Sequence, residues 1–597
     1  MADNSRRRFL KTVPVAVAGA VGAKVAAQGT PAAGPIKPGT IDAAEAIAGL
    51  DLHQDEEAAI AGGLNNRLRT FQQLRNTNIP LDTELAVLFT PVLPGKAPKG
   101  PATPHAGLRY TRAPMTLGRP ANLEDVAFWP IARLAALVER RLVSSTELTQ
   151  MYLTRLKRYQ PTLNFYVTLT EDLALRQAAE ADREIKAGKY RGPLHGLPWG
   201  AKDLLATKGI RTTFGAEPYV DQVIDYDATV VERLRQAGAV LAAKLTLGAL
   251  AQGDRWFGGR TNNPWNPAQG SSGSSAGPGS ATAAGCVAFA IGTETRGSII
   301  SPSSVNGVVG LRPTYGRVSR YGAMALSNTM DKLGPMCRYV EDAVLVLNAI
   351  YGPDQHDLSV TDAAFRWNPD LPLTSVRVGY VRSGFEAAAG RGAGAPAAAP
   401  PAGRAGGAAA PAGGRGGATP EQQEQQRQIY RDVIEVYRKL GAKLVPVDLP
   451  DLSISNQISF ILDVEAAASF DELTRSGEVN QLQTGTSRST WPNTFRSARF
   501  IPAVEYLRAQ RARTILMQQF DRFMSQFDVL LSAGADATLS ATNLTGHPAM
   551  AVKCGFLNNT PRILMLTGQL FDEATMCRVA LAYEQATAWK DKHPTLT

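Results

Sequence analysis

Segments with helical spacing and short apolar runs alternate along most of the chain. Helical spacing is clear where Ile60, Leu64 and Leu68 recur at i, i+4 and i+8, and Ser144 with Glu147 forms a capping box. Helices are predicted twice within 41–76, from about 125 onward, and at 230–234, 422–440 and 573–589. Buried strands are predicted at 239–245, 286–291, 376–381, 443–447, 529–532, 549–554 and 563–566. This alternation predicts an α/β fold with a central sheet flanked by helices.

The first 27 residues have a different pattern from the rest of the chain. Residues 5–11 read Ser-Arg-Arg-Arg-Phe-Leu-Lys, a weakly apolar stretch follows at 12–23, and Val25-Ala26-Ala27 ends the segment. These features together predict a twin-arginine export signal at 1–27, cut after Ala27. The protein is then periplasmic or secreted, and the export machinery is its partner during transport. A basic, disordered tail on a cytosolic protein is the alternative.

Two further segments set the predicted domain organisation. Residues 28–124 are predicted to form an N-terminal linker and helical extension, and residues 125–597 a catalytic domain. Residues 387–420 consist of Ala, Gly, Pro and three arginines, with one threonine. Because such a composition cannot build a core, we predict a disordered surface insertion there. The alternative is that this segment is a basic tether to a surface, but its three positive charges are few for that role.

Composition excludes several classes of protein. The chain is 44% hydrophobic and 19% charged, which rules out disorder throughout. The net charge is +10, but residues 1–27 carry +4 of it and no long basic run follows, so no nucleic-acid partner is expected. The four cysteines are far apart, which argues against a disulfide framework or a cysteine zinc site. No run of about 18 apolar residues follows the signal, so no stable membrane insertion is expected.

The most unusual part of the sequence is a pair of glycine- and serine-rich turns. Residues 270–280 and 292–298 flank the predicted strand 286–291. This arrangement can bring backbone N–H groups and hydroxyls together in a cleft. Phosphate binding is set aside, because neither GxxxxGK[ST] nor a GxGxxG motif opening a helix occurs.

Two serine chemistries remain. Residues 273–277 match GxSxG with Ser275 as nucleophile, and His547 would be the base. A nucleophile elbow needs a preceding strand, and the Pro-rich run 262–267 is unsuited to a sheet interior. The other chemistry is a serine activated by Lys202, because burial would lower the pKa of that lysine. The residues alone leave Lys202 open between this role and an ordinary surface lysine beside Asp203.

Several motifs in order resemble the amidase signature family, enzymes that hydrolyse carboxylic amides through a Ser–cis-Ser–Lys triad. The similar segments run from about residue 125 to the C-terminus and include 196–203, 263–267, 273–277, 292–298, 307–317, 334–343, 545–549 and 571–575. The resemblance implies a mixed central β-sheet flanked by helices. It also implies Lys202 as the base, Ser274 after a cis peptide bond as the bridging serine, and Ser298 as the nucleophile. The implied oxyanion hole is formed by the backbone N–H groups of Thr295, Arg296, Gly297 and Ser298.

The chain departs from the family pattern near these residues. Arg296 stands where the family has a glycine, Ile300 where it often has an arginine, and Ala276-Gly277 where it has two glycines. These positions surround the pocket, so they affect the expected specificity most.

The resemblance implies an amidase that releases an acid and an amine or ammonia from a small-molecule amide, without metal or cofactor, and the predicted signal at 1–27 implies that it is exported. A Ser-His-Asp esterase using Ser275 and a degenerate amide-binding protein are the alternatives. Glutamine-dependent tRNA amidation, which some relatives carry out, is disfavoured by the export signal. The sequence leaves a homo-oligomer open.

Overall fold

A computed structural model describes residues 35–48, 50–75, 87–96, 100, 108–386 and 419–596. The predicted signal at 1–27 and most of the predicted insertion, 387–418, lie outside these residues. The chain divides into two compact units, Met1–Ile79 and Pro80–Thr597. The first contains the two helices predicted within 41–76, and the Asn65 side chain joins them to the preceding segment through bonds to the Ile36 backbone.

The second unit is built around a large mixed sheet. Its strands and those of two small ribbons are β1 (Tyr166–Leu169), β2 (Pro198–Lys202), β3 (Val240–Leu245), β4 (Arg255–Trp256), β5 (Gly259–Arg260), β6 (Asn262–Asn263), β7 (Asn266–Gly270), β8 (Phe289–Glu294), β9 (Val309–Arg312), β10 (Lys332–Cys337), β11 (Arg377–Val381), β12 (Lys443–Val447), β13 (Val529–Ser532), β14 (Ala549–Leu557) and β15 (Thr560–Gly568). Within the described residues, eleven of them form one sheet in the order β1-β3-β2-β8-β10-β9-β14-β15-β13-β11-β12. The ribbons pair β4 with β5 and β6 with β7.

Helices flank the sheet, and along much of the sequence they alternate with its strands. The α-helices of the chain are α1 (Pro38–Ala48), α2 (Gln54–Arg75), α3 (Ile131–Glu139), α4 (Ser145–Leu163), α5 (Glu171–Lys186), α6 (Thr229–Gln236), α7 (Ala276–Ala283), α8 (Ile300–Asn306), α9 (Val340–Ile350), α10 (Arg382–Phe385), α11 (Pro420–Lys439), α12 (Ser453–Gln457), α13 (Ile461–Ser469), α14 (Asp471–Ser476), α15 (Gln481–Thr484), α16 (Trp491–Ala498), α17 (Ala503–Met524), α18 (Ala537–Thr545) and α19 (Glu573–Ala586). The predicted fold class, a mixed central sheet flanked by helices, is confirmed.

Local sequence signals account for several element boundaries. Helix α4 begins at the predicted capping box, where the Ser144 hydroxyl accepts from the Glu147 backbone N–H at 3.0 Å and the Glu147 carboxylate accepts from the Ser144 N–H at 2.8 Å. Thr419 and Gln422 form a second capping box at the start of α11. Within the described residues, no helix is both long and apolar enough to cross a membrane.

The order of the sheet brings the ends of three strands together. Strands β2 and β8 are parallel neighbours, so their carboxyl ends, Lys202 and Glu294, meet at one edge of the sheet. Strand β10 runs antiparallel to β8 and pairs Lys332 with Glu294, which places its start at the same edge. The two glycine- and serine-rich segments also meet here, because α7 follows Ser275 and α8 follows the 295–298 turn.

Candidate active site

Lys202, the predicted base, ends strand β2 and is 0% exposed. Its Nζ lies 2.8 Å from Ser274 Oγ, 3.0 Å from Ser275 Oγ and 2.8 Å from Thr293 Oγ1. Burial lowers the pKa of Lys202 well below the ordinary lysine value, although the charges of Asp331 and Glu294 oppose the shift. The amine is therefore adapted to lose its proton and to exchange it with a serine hydroxyl.

Glycines allow the close packing that buries this lysine. A Cβ at Gly200 would lie 2.3 Å from Leu245 Cδ1 on the neighbouring strand β3. A Cβ at Gly273 would lie 1.8 Å from the Gly253 carbonyl oxygen. A side chain at Gly200 would push strand β2, which carries Lys202, away from β3, and a side chain at Gly273 would push the segment that carries Ser274 away from Gly253.

Ser274 and Ser275 occupy different environments in the first glycine- and serine-rich segment. The peptide bond between Gly273 and Ser274 is cis, as the resemblance implies. The Ser275 hydroxyl donates to the Thr293 carbonyl at 3.1 Å and accepts from the Thr293 N–H at 3.1 Å. The Ser275 N–H in turn donates to the Ser298 carbonyl at 3.2 Å, which joins this segment to the predicted nucleophile turn.

The turn at 295–298, the predicted oxyanion hole, contains backbone N–H groups without an acceptor among the described residues. Gly297 has a φ of +95°, a backbone conformation that favours glycine. Arg296 does not have a positive φ, so its backbone conformation is open to residues with a side chain. The family's glycine is therefore not required by the backbone at position 296. The backbone N–H groups of Gly297 and Ser298 donate to no described residue, and the half-buried Ser298 hydroxyl bonds to none either.

A functional residue that the sequence reasoning missed is Glu294, a fully buried glutamate at the end of β8. Its carboxylate accepts from the N–H groups of Ile299 and Ile300 at 2.8 and 2.9 Å, from Arg312 at 2.7 Å and from the Asn543 amide at 2.8 Å. Burial raises the pKa of Glu294, but Arg312 and these donors outweigh it and lower the pKa to about 2. Glu294 thus fixes the end of the turn that carries Ser298. The signal in the sequence that could have identified Glu294 is a single acidic residue at the end of a mostly apolar strand.

Glu294→Gln is expected to lower the free energy of unfolding by about 3 kcal/mol, because it leaves the buried Arg312 without its counter-charge. It is also expected to lower kcat, because a single amide oxygen cannot accept both from the turn and from Arg312 and Asn543. Urea unfolding and steady-state kinetics measure the two effects. Glu435→Gln, an exposed glutamate paired with Arg438, is the matched control. Unchanged stability in Glu294→Gln would contradict this account.

Ser275 and His547, the residues of the Ser-His-Asp alternative, have other hydrogen-bond partners. His547 is buried, and its Nδ1 lies 2.8 Å from Thr545 Oγ1. Burial, together with the charge of Arg312, lowers the pKa of His547 to about 3. Within the described part of the chain, no hydrogen bond of Ser275 involves a histidine. The interpretation of His547 as a structural turn histidine fits these contacts better than a role as base.

A group of acidic side chains close enough together to hold a metal ion belongs to the first unit. Among the described residues they are Asp42, Glu45 and Glu57, in the first unit. Such a cluster of acidic groups is common without an ion.

Comparisons with known proteins agree with the fold. The family described as Amidase matches residues 147–391. A subunit of the glutamyl-tRNA(Gln) amidotransferase from Thermosynechococcus vestitus (strain NIES-2133 / IAM M-273 / BP-1) is 34% identical over 514 residues, 78% of this chain and 99% of the relative. The native peptide amidase from Stenotrophomonas maltophilia has a TM-score of 0.66 at 28% identity, over 79% of this chain and 99% of that one. A bacterial aryl acylamidase of the amidase signature family shows the same fold, with a TM-score of 0.65 at 20% identity, over 78% of this chain and 98% of that one.

The chain therefore belongs to the amidase signature family. It is an amidase, a hydrolase of carbon–nitrogen bonds, and the resemblance drawn from its motifs is confirmed.

Proposed function

We propose that the chain is an exported amidase that hydrolyses carboxylic amides through Lys202, Ser274 and Ser298. The observation that carries this proposal is the environment of Lys202, a buried amine 2.8 Å from Ser274 Oγ. Within the described residues its hydrogen-bond partners are hydroxyls and a carbonyl, with no carboxylate among them. A lysine held in this way can serve as a neutral base.

The first half of the reaction forms an acyl-enzyme. Ser298 Oγ attacks the amide carbon and transfers its proton to Ser274 Oγ, while Ser274 transfers its own proton to Lys202 Nζ. The carbonyl π bond breaks, and the oxygen becomes an oxyanion that accepts hydrogen bonds from the backbone N–H groups of the 295–298 turn. When the tetrahedral intermediate collapses, the carbon–nitrogen bond breaks. Lys202 returns the proton through Ser274 to the leaving nitrogen.

The second half of the reaction releases the acid. A water molecule attacks the ester carbon of acyl-Ser298 and gives its proton through Ser274 to Lys202. The same backbone N–H groups stabilise the second oxyanion. Ser298 Oγ then leaves and recovers its proton by the reverse route, so the enzyme returns to its starting state.

The acyl-enzyme provides the direct test of this mechanism. An acid quench during turnover of a slowly deacylated anilide is expected to trap the acyl group on the peptide that contains Ser298, as seen by mass spectrometry. The Ser275→Ala variant is expected to show the same adduct. An adduct on Ser275 would support the esterase alternative, and binding of amides without any adduct or turnover would support a degenerate amide-binding protein.

Export is supported by the sequence at residues 5–11 and is the localisation that we propose. Replacing Arg6 and Arg7 by lysine is expected to retain the protein in the cytoplasm, because the paired arginines are the feature that the export machinery reads. The matched control is Arg8→Lys, which leaves the pair intact. Immunoblots of periplasmic and cytoplasmic fractions measure the outcome. Normal export of the double variant would exclude this route.

A second candidate function is supported by the 34% identity to a glutamyl-tRNA(Gln) amidotransferase component, which extends over 99% of that relative. In this case the chain would release ammonia from glutamine for a partner protein. Ile300 stands where the family often has an arginine. This position therefore offers no positive charge for glutamine, which weakens this candidate. Glutaminase activity that exceeds activity on simple amides would favour it.

A further inference from the structure

A cleft opens beside the predicted reacting groups. Two threonines of β8 and the following turn line it, Thr293 and Thr295. Thr293 Oγ1 is a hydrogen-bond partner of Lys202, and Thr295 begins the predicted oxyanion turn. The cleft therefore adjoins a residue that contacts Lys202 and the first residue of the turn that carries Ser298.

The walls of the cleft are mostly apolar. The apolar lining residues include Leu204, Ala323, Met324, Ala325, Leu326 and Leu333, and Tyr321 and Asn328 add polar groups. The leucines are buried in the core of the second unit. Apolar groups entering such a cleft gain from leaving water, whereas charged groups lose their hydration there.

The two charged residues that line the cleft already have partners. Arg320 donates from Nε and Nη2 to the Asp357 carboxylate, both at 3.0 Å, and from Nη1 to the Asn328 carbonyl at 2.8 Å. Asp331 accepts from the Thr295 hydroxyl at 2.6 Å and from the N–H groups of Leu326 and Ser327 at 2.8 Å. These bonds hold both charges in place, so neither is set to recognise a charged substrate.

Another charged residue near the reacting groups is Arg296, on the predicted oxyanion turn. Burial lowers the pKa of Arg296, and the attraction of the Asp463 carboxylate opposes that shift. The charge of the Asp463 carboxylate thus partly offsets the effect of burial on Arg296.

We infer that this enzyme selects amides whose acyl group is uncharged and apolar, and that free amino-acid amides such as glutamine are poor substrates. The acyl group is assigned to the cleft because the amine departs first and needs a path to solvent, while the acyl group stays bound until water attacks. This inference rests on the proposed function and adds the class of substrate to it.

Matched acyl chains test the inference. Hexanamide is compared with 6-aminohexanamide and adipic acid monoamide, which place a positive or a negative charge at the end of a similar chain. The kcat/KM for hexanamide is expected to exceed that for each charged amide, and for L-glutamine, by at least about tenfold. A charged amide that matches or exceeds hexanamide would overturn the inference. If the enzyme prefers adipic acid monoamide and the Arg296→Gln variant loses that preference, Arg296 binds the charged end of the substrate and the inference is overturned.

The Ala325→Asp variant places a carboxylate in the cleft. It is expected to raise the ratio of kcat/KM for 6-aminohexanamide over hexanamide by at least about tenfold, through attraction of the ammonium group. Ala503→Asp, at an exposed alanine that starts α17, is the matched control and is expected to keep the wild-type ratio. An unchanged ratio in Ala325→Asp would show that the acyl chain does not occupy this cleft.

Binding separates failure of this inference from failure of the proposed function. If the wild-type protein hydrolyses none of these amides, the proposed function is wrong. Calorimetry with Ser298→Ala still decides the inference in that case. Tighter binding of hexanamide than of 6-aminohexanamide supports it, and equal or weaker binding overturns it.

Discussion

Ser298→Ala is expected to lower kcat for amide hydrolysis by at least about 10^4-fold, because it removes the atom that forms the acyl-enzyme. The variant is expected to fold normally, since the Ser298 hydroxyl makes no hydrogen bond to the described residues. Its backbone N–H and carbonyl, which contribute to the predicted oxyanion hole and accept from Ser275, remain in place. Single-turnover kinetics and thermal unfolding measure the two outcomes.

Ser275→Ala is the informative comparison for this variant. The Ser275 hydroxyl is buried and bonded to Lys202 and Thr293, so its loss is expected to reduce kcat by less and to reduce stability by more. Retained amidase activity in Ser298→Ala, combined with loss of activity in Ser275→Ala, would reverse the assignment of the nucleophile.

Much of the sheet could be predicted from apolar runs, and the exceptions have physical causes. Strands β12 and β13 match the predicted 443–447 and 529–532 in full. Strand β8 spans Phe289–Glu294 rather than 286–291, because Thr293 and Glu294 pair with β10 through tertiary hydrogen bonds. A hydrophobic pattern does not show such pairing, so the sequence predicts these polar residues as part of the turn.

Other elements are held by packing that the sequence does not display. Strand β2 contains a proline and a glycine, which have low strand propensity, yet it lies between β3 and β8. The helices from α12 to α17 are mostly short and pack against one another, and no strong helical periodicity marked them. In both β2 and the helices α12 to α17, tertiary contacts rather than local sequence preference determine the secondary structure.

The candidate site could be located from its motifs, but the state of Lys202 could not. The residues alone left Lys202 open between a base and a surface lysine, and only the packing of β2 between its neighbours buries it. Glu294 was missed because its partners Arg312 and Asn543 are 18 and 249 residues away in the chain.

Lys202→Met is expected to lower kcat by about 10^3-fold, because it removes the general base while filling the same space. In the wild-type enzyme, kcat/KM is expected to rise with pH as Lys202 loses its proton. The apparent pKa of this rise is expected to lie well below about 10.4, the ordinary value for lysine, because burial disfavours the ammonium. Lys186→Met, at an exposed lysine on α5, is expected to keep the wild-type profile. A flat wild-type profile from about pH 6 to 9 would argue against lysine as the base.

The same substitution is expected to stabilise the fold in a pH-dependent way. Between the lowered pKa of folded Lys202 and about 10.4, the unfolded chain binds one more proton at this site than the folded chain does. The wild-type free energy of unfolding therefore gains a contribution that rises with pH through this window, and Lys202→Met lacks it. The advantage of Lys202→Met over the wild type is expected to be largest below the window and to shrink as pH rises. Urea unfolding of both proteins at several pH values measures this difference, and an advantage that grows with pH would show that Lys202 is not buried as an unfavourable charge.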